Sequence, residues 1–198
     1  DRSTGMILSA EQAALVSDFC EQSAKKGALV FVDPIMGDEG KLYNGVGEET
    51  IAHMRKMVAV ADCIVPNYTE AAYLADMPYH EDMTEEEARA LTIRLHEMGA
   101  KSVVVTSAKV DGENCVVGYD GTEGEFFRIP FDLIPVRFVG TGDIFAAVML
   151  GRLVDGVPLQ ESTHRAMDAV RTMIDRNRDK EDKYLGIPIE TCLEVLDE

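Results

Sequence analysis

Gly140-Thr141-Gly142-Asp143 sets two glycines and a carboxylate at the start of a stretch of small and apolar residues running from Ile144 to Leu153. Glycine permits backbone angles and close approaches that a side chain would block. A helix beginning there would aim its free N–H groups and the positive end of its dipole at whatever lies above the turn, and a phosphate fits that position. Asp143 falls in the first helical turn, where its charge is favoured by about 0.3–1 kcal/mol. Its carboxylate could face the same cavity, or could serve only its own helix. Four residues make a weak pattern by themselves.

Two further segments carry oxygen ligands. Asp33-Pro34-Ile35-Met36-Gly37-Asp38-Glu39-Gly40-Lys41-Leu42-Tyr43 follows an apolar run and combines acids with glycines, although a solvated turn would have the same composition. Pro66-Asn67-Tyr68-Thr69-Glu70-Ala71 could present an amide and a carboxylate to a ligand, or could be a capping box with Asn67 as N-cap and Glu70 at the third helical position. Carboxylate and carbonyl oxygens beside a phosphate-binding turn fit a Mg²⁺–nucleotide site, and phosphoryl transfer is the reaction such a set can support. The G-x-x-x-x-G-K-[ST] loop of another nucleotide-binding class is absent.

Alternating elements must position these residues. Helical spacing over 9–26 ends at Gly27, and the continuous apolar run 28–32 suits a parallel strand buried on both faces. A helix is expected at 48–58, a strand at 63–65 ending in Pro66-Asn67, and a helix from about Thr69. Thr84 and Glu87 form a capping-box pattern for a helix reaching Met98, followed by a strand at 102–105 that ends at Thr106-Ser107. A hairpin pairs 115–119 with 125–129, a helix spans 159–176, the charged run 176–183 is a solvated connection, and a closing helix covers 189–196. The pattern is that of an α/β fold, a mostly parallel central sheet flanked by helices on both faces, in one domain over 1–198. Ligands bind such sheets outside the carboxyl ends of the strands. That edge would collect Asp33, Asp38, Asn67, Glu70, Thr106, Ser107 and the 140–143 turn.

With 36 acidic against 19 basic residues and a net charge of −17, the surface would repel nucleic acid and anionic membranes. ATP remains admissible, because it arrives with Mg²⁺ and local amides offset the residual charge. Cys20, Cys63, Cys115 and Cys192 form no C-x-x-C pair and read as reduced core thiols. Neither a span of about 20 apolar residues nor a signal-peptide pattern occurs. A cytoplasmic setting is therefore expected.

These motifs, in this order, resemble the ribokinase-like superfamily and within it the pyridoxal kinases. The residues from Asp33 to Asp38 with Gly40 to Tyr43 are similar to the family's D-P-V-M-G-D…G-x-x-Y segment. Pro66-Asn67 with Glu70-Ala71, Val105-Thr106-Ser107, and Phe138-Val139 through Ala147 resemble three further segments. The resemblance implies ATP-dependent phosphorylation of the 5′-hydroxyl of pyridoxal, pyridoxine or pyridoxamine. It implies Asp143 as general base, with Gly140, Thr141 and Gly142 as the anion hole. It places Asp33 and Asp38 near phosphates and metal, lets Asn67 and Glu70 organise Mg²⁺ partly through water, and has Thr106 and Ser107 touch phosphate or ribose. A monovalent cation, K⁺ in most members, and a homodimer are also implied. Sugar kinases commonly carry G-A-G-D, and hydroxymethylpyrimidine kinases commonly have cysteine in place of this aspartate. A hydroxymethylpyrimidine kinase is the alternative enzyme, and a non-catalytic nucleotide- or vitamer-binding module the alternative of another class. The family's opening strands are expected to be missing, with Thr4-Gly5-Met6-Ile7-Leu8 resembling their tail and a sheet edge left open.

Overall fold

The computed structural model describes residues 2–5, 7 and 9–196, in two compact units, Asp1–Phe131 and Asp132–Glu198. The strands of the first unit are β1 (Arg2–Thr4), β2 (Val30–Val32), β3 (Gly37–Asp38), β4 (Lys41–Leu42), β5 (Cys63–Ile64), β6 (Ser102–Val110), β7 (Glu113–Asp120) and β8 (Glu125–Pro130). Its helices are α1 (Ala10–Ala24), α2 (Glu48–Val58), α3 (Tyr68–Ala75) and α4 (Glu85–Glu97). Six strands form one sheet in the order β1-β2-β5-β6-β7-β8, while β3 and β4 form a separate hairpin. The pairings from β1 through β6 are parallel and the two involving β7 are antiparallel.

Successive residues of a strand point to opposite faces. Val30, Val32, Ile64, Val103, Val105 and Val117 share a core with Ile51, Met54, Leu74, Leu91 and Leu95 from the helices. Phe31, Cys63, Val104 and Val116 point the other way and are at most 4% exposed. Covering on both sides explains why these strands appear as unbroken apolar runs rather than alternating ones. The helices start where capping residues dictate. Ser9 accepts from Gln12 N at 3.2 Å, and Thr84 closes a capping box with Glu87.

One strand was not anticipated, and two expectations change. β1 pairs Ser3 with Phe31 although Arg2-Ser3-Thr4 shows no apolar pattern; Met6 and Leu8, in the segment likened to the tail of the opening strands, lie outside the described residues. The strand expected to end at Thr106-Ser107 continues to Val110, because a bulge between Val105 and Ala108 absorbs the polar pair. Ser107 takes φ 55° there, and Asp111 (φ 50°) with Gly112 (φ 83°) then turn the chain into β7. The closing helix resolves into two 3₁₀ turns, Ile189–Thr191 and Leu193–Leu196, because the buried Cys192 between them leaves helical geometry at φ −132°.

The second unit holds α5 (Thr141–Val154) and α6 (Leu159–Arg176), with Phe138, Ile144, Met173, Ile187 and Val195 in its own core. Arg152 Nη2 donates to the Leu196 carbonyl at 2.6 Å and holds the chain end against α5. No helix among the described residues is long and apolar enough to cross a membrane.

At the amino end of the parallel strands, Asp62 ties the register together. Its Oδ2 accepts Val30 N at 2.7 Å, its own N donates to Val30 O, its carbonyl accepts Ser102 N, and Oδ1 pairs with Lys101. Asp62→Ala is expected to lower unfolding free energy by about 1–3 kcal/mol, since it strands a ladder-end amide. Lys101→Ala removes only a pair whose lysine is exposed and should cost less than about 1 kcal/mol. Urea unfolding of both variants checks this, and equal losses would refute the ranking.

Candidate active site

The segment from Pro66 to Ala71 turns out to be a helix start with a second set of partners. Asn67 Oδ1 accepts Glu70 N at 3.0 Å and Glu70 Oε2 accepts Asn67 N at 2.8 Å, completing the capping box of α3. Glu70 Oε1 also accepts Met36 N at 2.9 Å and Gly37 N at 3.5 Å, and Asn67 Nδ2 donates to Gly37 O at 2.8 Å. Thr69 Oγ1 accepts Gly40 N at 2.8 Å. The first turn of α3 thus grips the segment that follows β2.

That segment is a tight hairpin rather than an open loop. β3 and β4 pair antiparallel around Glu39 (φ 52°) and Gly40 (φ 77°), the pattern of a two-residue hairpin turn. Gly37 must lack a side chain, since a Cβ there would collide with the Lys41 carbonyl oxygen. Asp38 leads into the turn, and its Oδ1 accepts Glu39 N at 2.9 Å.

Neighbouring strand ends bring the other residues in. Val65 N donates to Val32 O and Thr106 N to Pro66 O, both at 2.9 Å, and Asn67 bridges Thr106 in parallel register. Asp33, Asp38, Asn67, Glu70 and Thr106 therefore gather at the carboxyl edge of the first unit's sheet. Ser107 lies beside them on the bulge and is exposed. Asp33 and Asp38 are half-buried, whereas Glu70 is 3% exposed with both oxygens engaged by amides. Among the described residues no group of three or more His, Cys, Asp or Glu is arranged to hold a metal. The donors that do gather, the carboxylates of Asp33 and Asp38, are hard oxygens of the kind Mg²⁺ takes together with phosphate and water.

The 140–143 turn belongs to the second unit. Gly140 caps α5 at φ 85°, with no side-chain cap, and its carbonyl accepts Ile144 N at 3.1 Å. The N–H groups of Thr141, Gly142 and Asp143 have no acceptor within the helix. Gly142 and Asp143 are exposed, and nothing lies within 4 Å of where a Cβ on Gly142 would sit. The Asp143 carboxylate comes back to within 3.7 Å of the corresponding point on Gly140. An anion has both room and donors here, beside a carboxylate open to solvent.

Thr69 and Tyr79 were not legible as site residues. Tyr79 packs over Gly40, where a Cβ would be 3.0 Å from its ring, and stacks on Tyr68 at 4.8 Å between centroids. Thr69 sits inside a recognisable helix start, but nothing in its spacing points to Gly40, and Tyr79 carries no sequence signal at all.

Burial pushes the Glu70 carboxyl up from 4.5 to about 7, against the pull of the Met36 and Asn67 amides, and the nearby charge of Asp33 adds to the rise. A carboxyl raised in the folded state binds protons more tightly there, so its stabilising contribution is present below about pH 4.5 and is lost as pH climbs through 7. The loss is at most about 3 kcal/mol. Glu70→Gln removes the titration at the cost of one acceptor. Its stability relative to wild type, from urea unfolding between pH 4.5 and 8, should improve as pH rises; a constant difference would refute the assignment.

The family model for phosphomethylpyrimidine kinase matches residues 3–186. Pyridoxal kinase of Arabidopsis thaliana is 32% identical over 82% of this chain and 53% of its own length. Pyridoxal kinase of Sus scrofa is 34% identical over 74% of this chain and 50% of its own. The chain spans about half the length of the curated relatives it matches. Among solved structures, a Bacteroides thetaiotaomicron protein provisionally assigned as a phosphomethylpyrimidine kinase, crystallised with pyridoxal, superposes with a TM-score of 0.91 at 32% identity. That match covers 99% of this chain and 70% of that one. A mostly parallel sheet with its acids at the carboxyl edge, a glycine-capped helix followed by aspartate and a family match running almost end to end agree: the chain belongs to the phosphomethylpyrimidine kinase family of the ribokinase-like superfamily, alongside the pyridoxal kinases.

Proposed function

We propose that this chain carries the phosphoryl-transfer machinery of an ATP-dependent pyridoxal kinase acting on the 5′-hydroxyl of pyridoxal and its vitamer relatives in vitamin B6 salvage. The observation that carries the reading is the start of α5: three N–H groups without helical acceptors, open space above Gly142 and the carboxylate of Asp143 beside them. Asp143 takes the proton of the attacking hydroxyl. The amides of the 140–143 turn donate to the oxygens of the transferred phosphoryl group as the bond from the γ-phosphorus to the bridging oxygen breaks and ADP leaves. Mg²⁺, when bound, neutralises phosphate charge; Asp38 and Asp33 would hold it, with Asn67 and Glu70 acting from behind. Thr106 and Ser107 would contact phosphate or ribose, and a monovalent cation, K⁺ by family resemblance, would sit near the turn.

The hydroxymethylpyrimidine alternative draws on the name of the matching family model. Asp143 favours pyridoxal, since the pyrimidine enzymes commonly carry cysteine there, and the similar Bacteroides thetaiotaomicron structure was obtained with pyridoxal. One kinase domain, a homodimeric assembly and a cytoplasmic setting complete the proposal. The four cysteines, all buried and unpaired with one another, agree with reducing surroundings.

In the intact protein, Asp143→Asn should lower kcat with pyridoxal by at least about 10² while Mg-ATP still binds within about threefold of wild type. Turnover assays and calorimetry decide it. Unchanged turnover would sink the assignment, and preferred turnover of hydroxymethylpyrimidine by wild type would move it to the alternative.

A further inference from the structure

The hairpin that presents Asp38 is held from behind by α3, and one of the holding contacts lies outside the helix's own cap. Asn67 and Glu70 bind Met36 and Gly37, which precede Asp38. Beyond Asp38 and Glu39 the chain is caught again, by Thr69, whose Oγ1 accepts Gly40 N at 2.8 Å. The α3 cap does not use this hydroxyl, because Asn67 and Glu70 fill both roles of the box. Thr69 is 3% exposed, so an amide pulled away from it would leave a buried acceptor without its partner. The Tyr79 ring closes over Gly40 and is backed by Tyr68. Asp38 and Glu39 therefore project from a turn whose entry is tied by Asn67 and Glu70 and whose exit is tied by Thr69.

We infer that Thr69 is a positioning residue for Mg-ATP: by accepting the Gly40 amide, its buried hydroxyl holds the β3–β4 turn so that Asp38 keeps one orientation toward the nucleotide's metal and phosphates. The inference rests on the proposed phosphoryl transfer and adds a residue that touches neither nucleotide nor metal. A carboxylate that must meet a cation with strict geometric demands gains from a fixed turn, because each alternative orientation lowers the fraction of binding-competent molecules. Serine should replace Thr69 with little loss, since the hydroxyl is what matters, whereas valine keeps the shape and loses the acceptor.

The test compares wild type, Thr69→Val and Thr69→Ser in the intact protein by calorimetric Kd for Mg-ATP, KM for Mg-ATP and for pyridoxal, and thermal midpoint. Thr69→Val is expected to weaken Mg-ATP binding and raise its KM about tenfold, the equivalent of one lost hydrogen bond, with the pyridoxal KM within about twofold of wild type. Thr69→Ser should stay within about twofold throughout. Should the valine variant not fold, Thr69→Ala carries the same comparison. Equal weakening in the valine and serine variants overturns the inference, as does a lowered thermal midpoint with unchanged Kd. If wild type binds Mg-ATP but forms no phosphorylated product, the kinase reading falls and the Kd comparison still decides Thr69. If wild type binds no Mg-ATP, both fall.

Discussion

Three backbone amides, from Met36, Gly37 and Asn67, converge on the Glu70 carboxylate where water scarcely reaches. A buried carboxylate is costly unless its oxygens are satisfied, and these amides supply the satisfaction. The dependence is mutual. Without Glu70 the Met36 and Gly37 amides lose their acceptor, the β3–β4 hairpin keeps only its Asn67 and Thr69 ties to α3, and Asp38 loses part of its anchoring. Much of the arrangement at the sheet edge follows from this one group. Its residue types, spaced as an ordinary capping box, conceal that role because the hairpin lies 34 residues earlier in the chain.

The two acid-bearing helix starts, one capped by asparagine and one by glycine, divide the work differently. At α3 the amides of Asn67 and Glu70 are taken up by the capping box, and what remains of the two side chains' capacity goes to the hairpin. At α5 the cap is a glycine without a side-chain acceptor, so its donors stay available. A closed helix start acts as scaffold and an open one as receptor for charge. The contrast explains why Glu70 and Asp143, both acids near a helix N-terminus, take separate parts in the proposed chemistry.

The elements with local grammar were the legible ones. α2 and α6 occupy the spans expected from periodicity, and the Asn67/Glu70 and Thr84/Glu87 boxes form as their spacing demands. Apolar runs gave the central strands, because burial on both faces leaves no alternation to misread. What escaped depended on partners distant in sequence or on backbone angles. The bulge at Ser107 hides the second half of β6, β1 is ordered by β2 rather than by its own residues, and Tyr79 finds Gly40 only through the fold. At the candidate site, residue types were readable and their tethering was not: Asn67 and Glu70 were placed near metal by resemblance, and their hydrogen bonds run to each other and to the hairpin backbone.

The sheet's mixed pairing also bears on how it assembles. β6, β7 and β8 join through short turns and can pair early, whereas β2 reaches β5 only after the chain has closed loops such as that from Val30 to Asp62, 32 residues apart. On this argument the meander forms first and the parallel strands add to it, so the carboxyl-edge cluster becomes ordered late, when α3 docks against the hairpin. Pulse labelling of amides during refolding would read that order directly, and early protection of Met36 and Gly37 would reverse it. The edge proposed for chemistry would then be the last part of this sheet to become a surface.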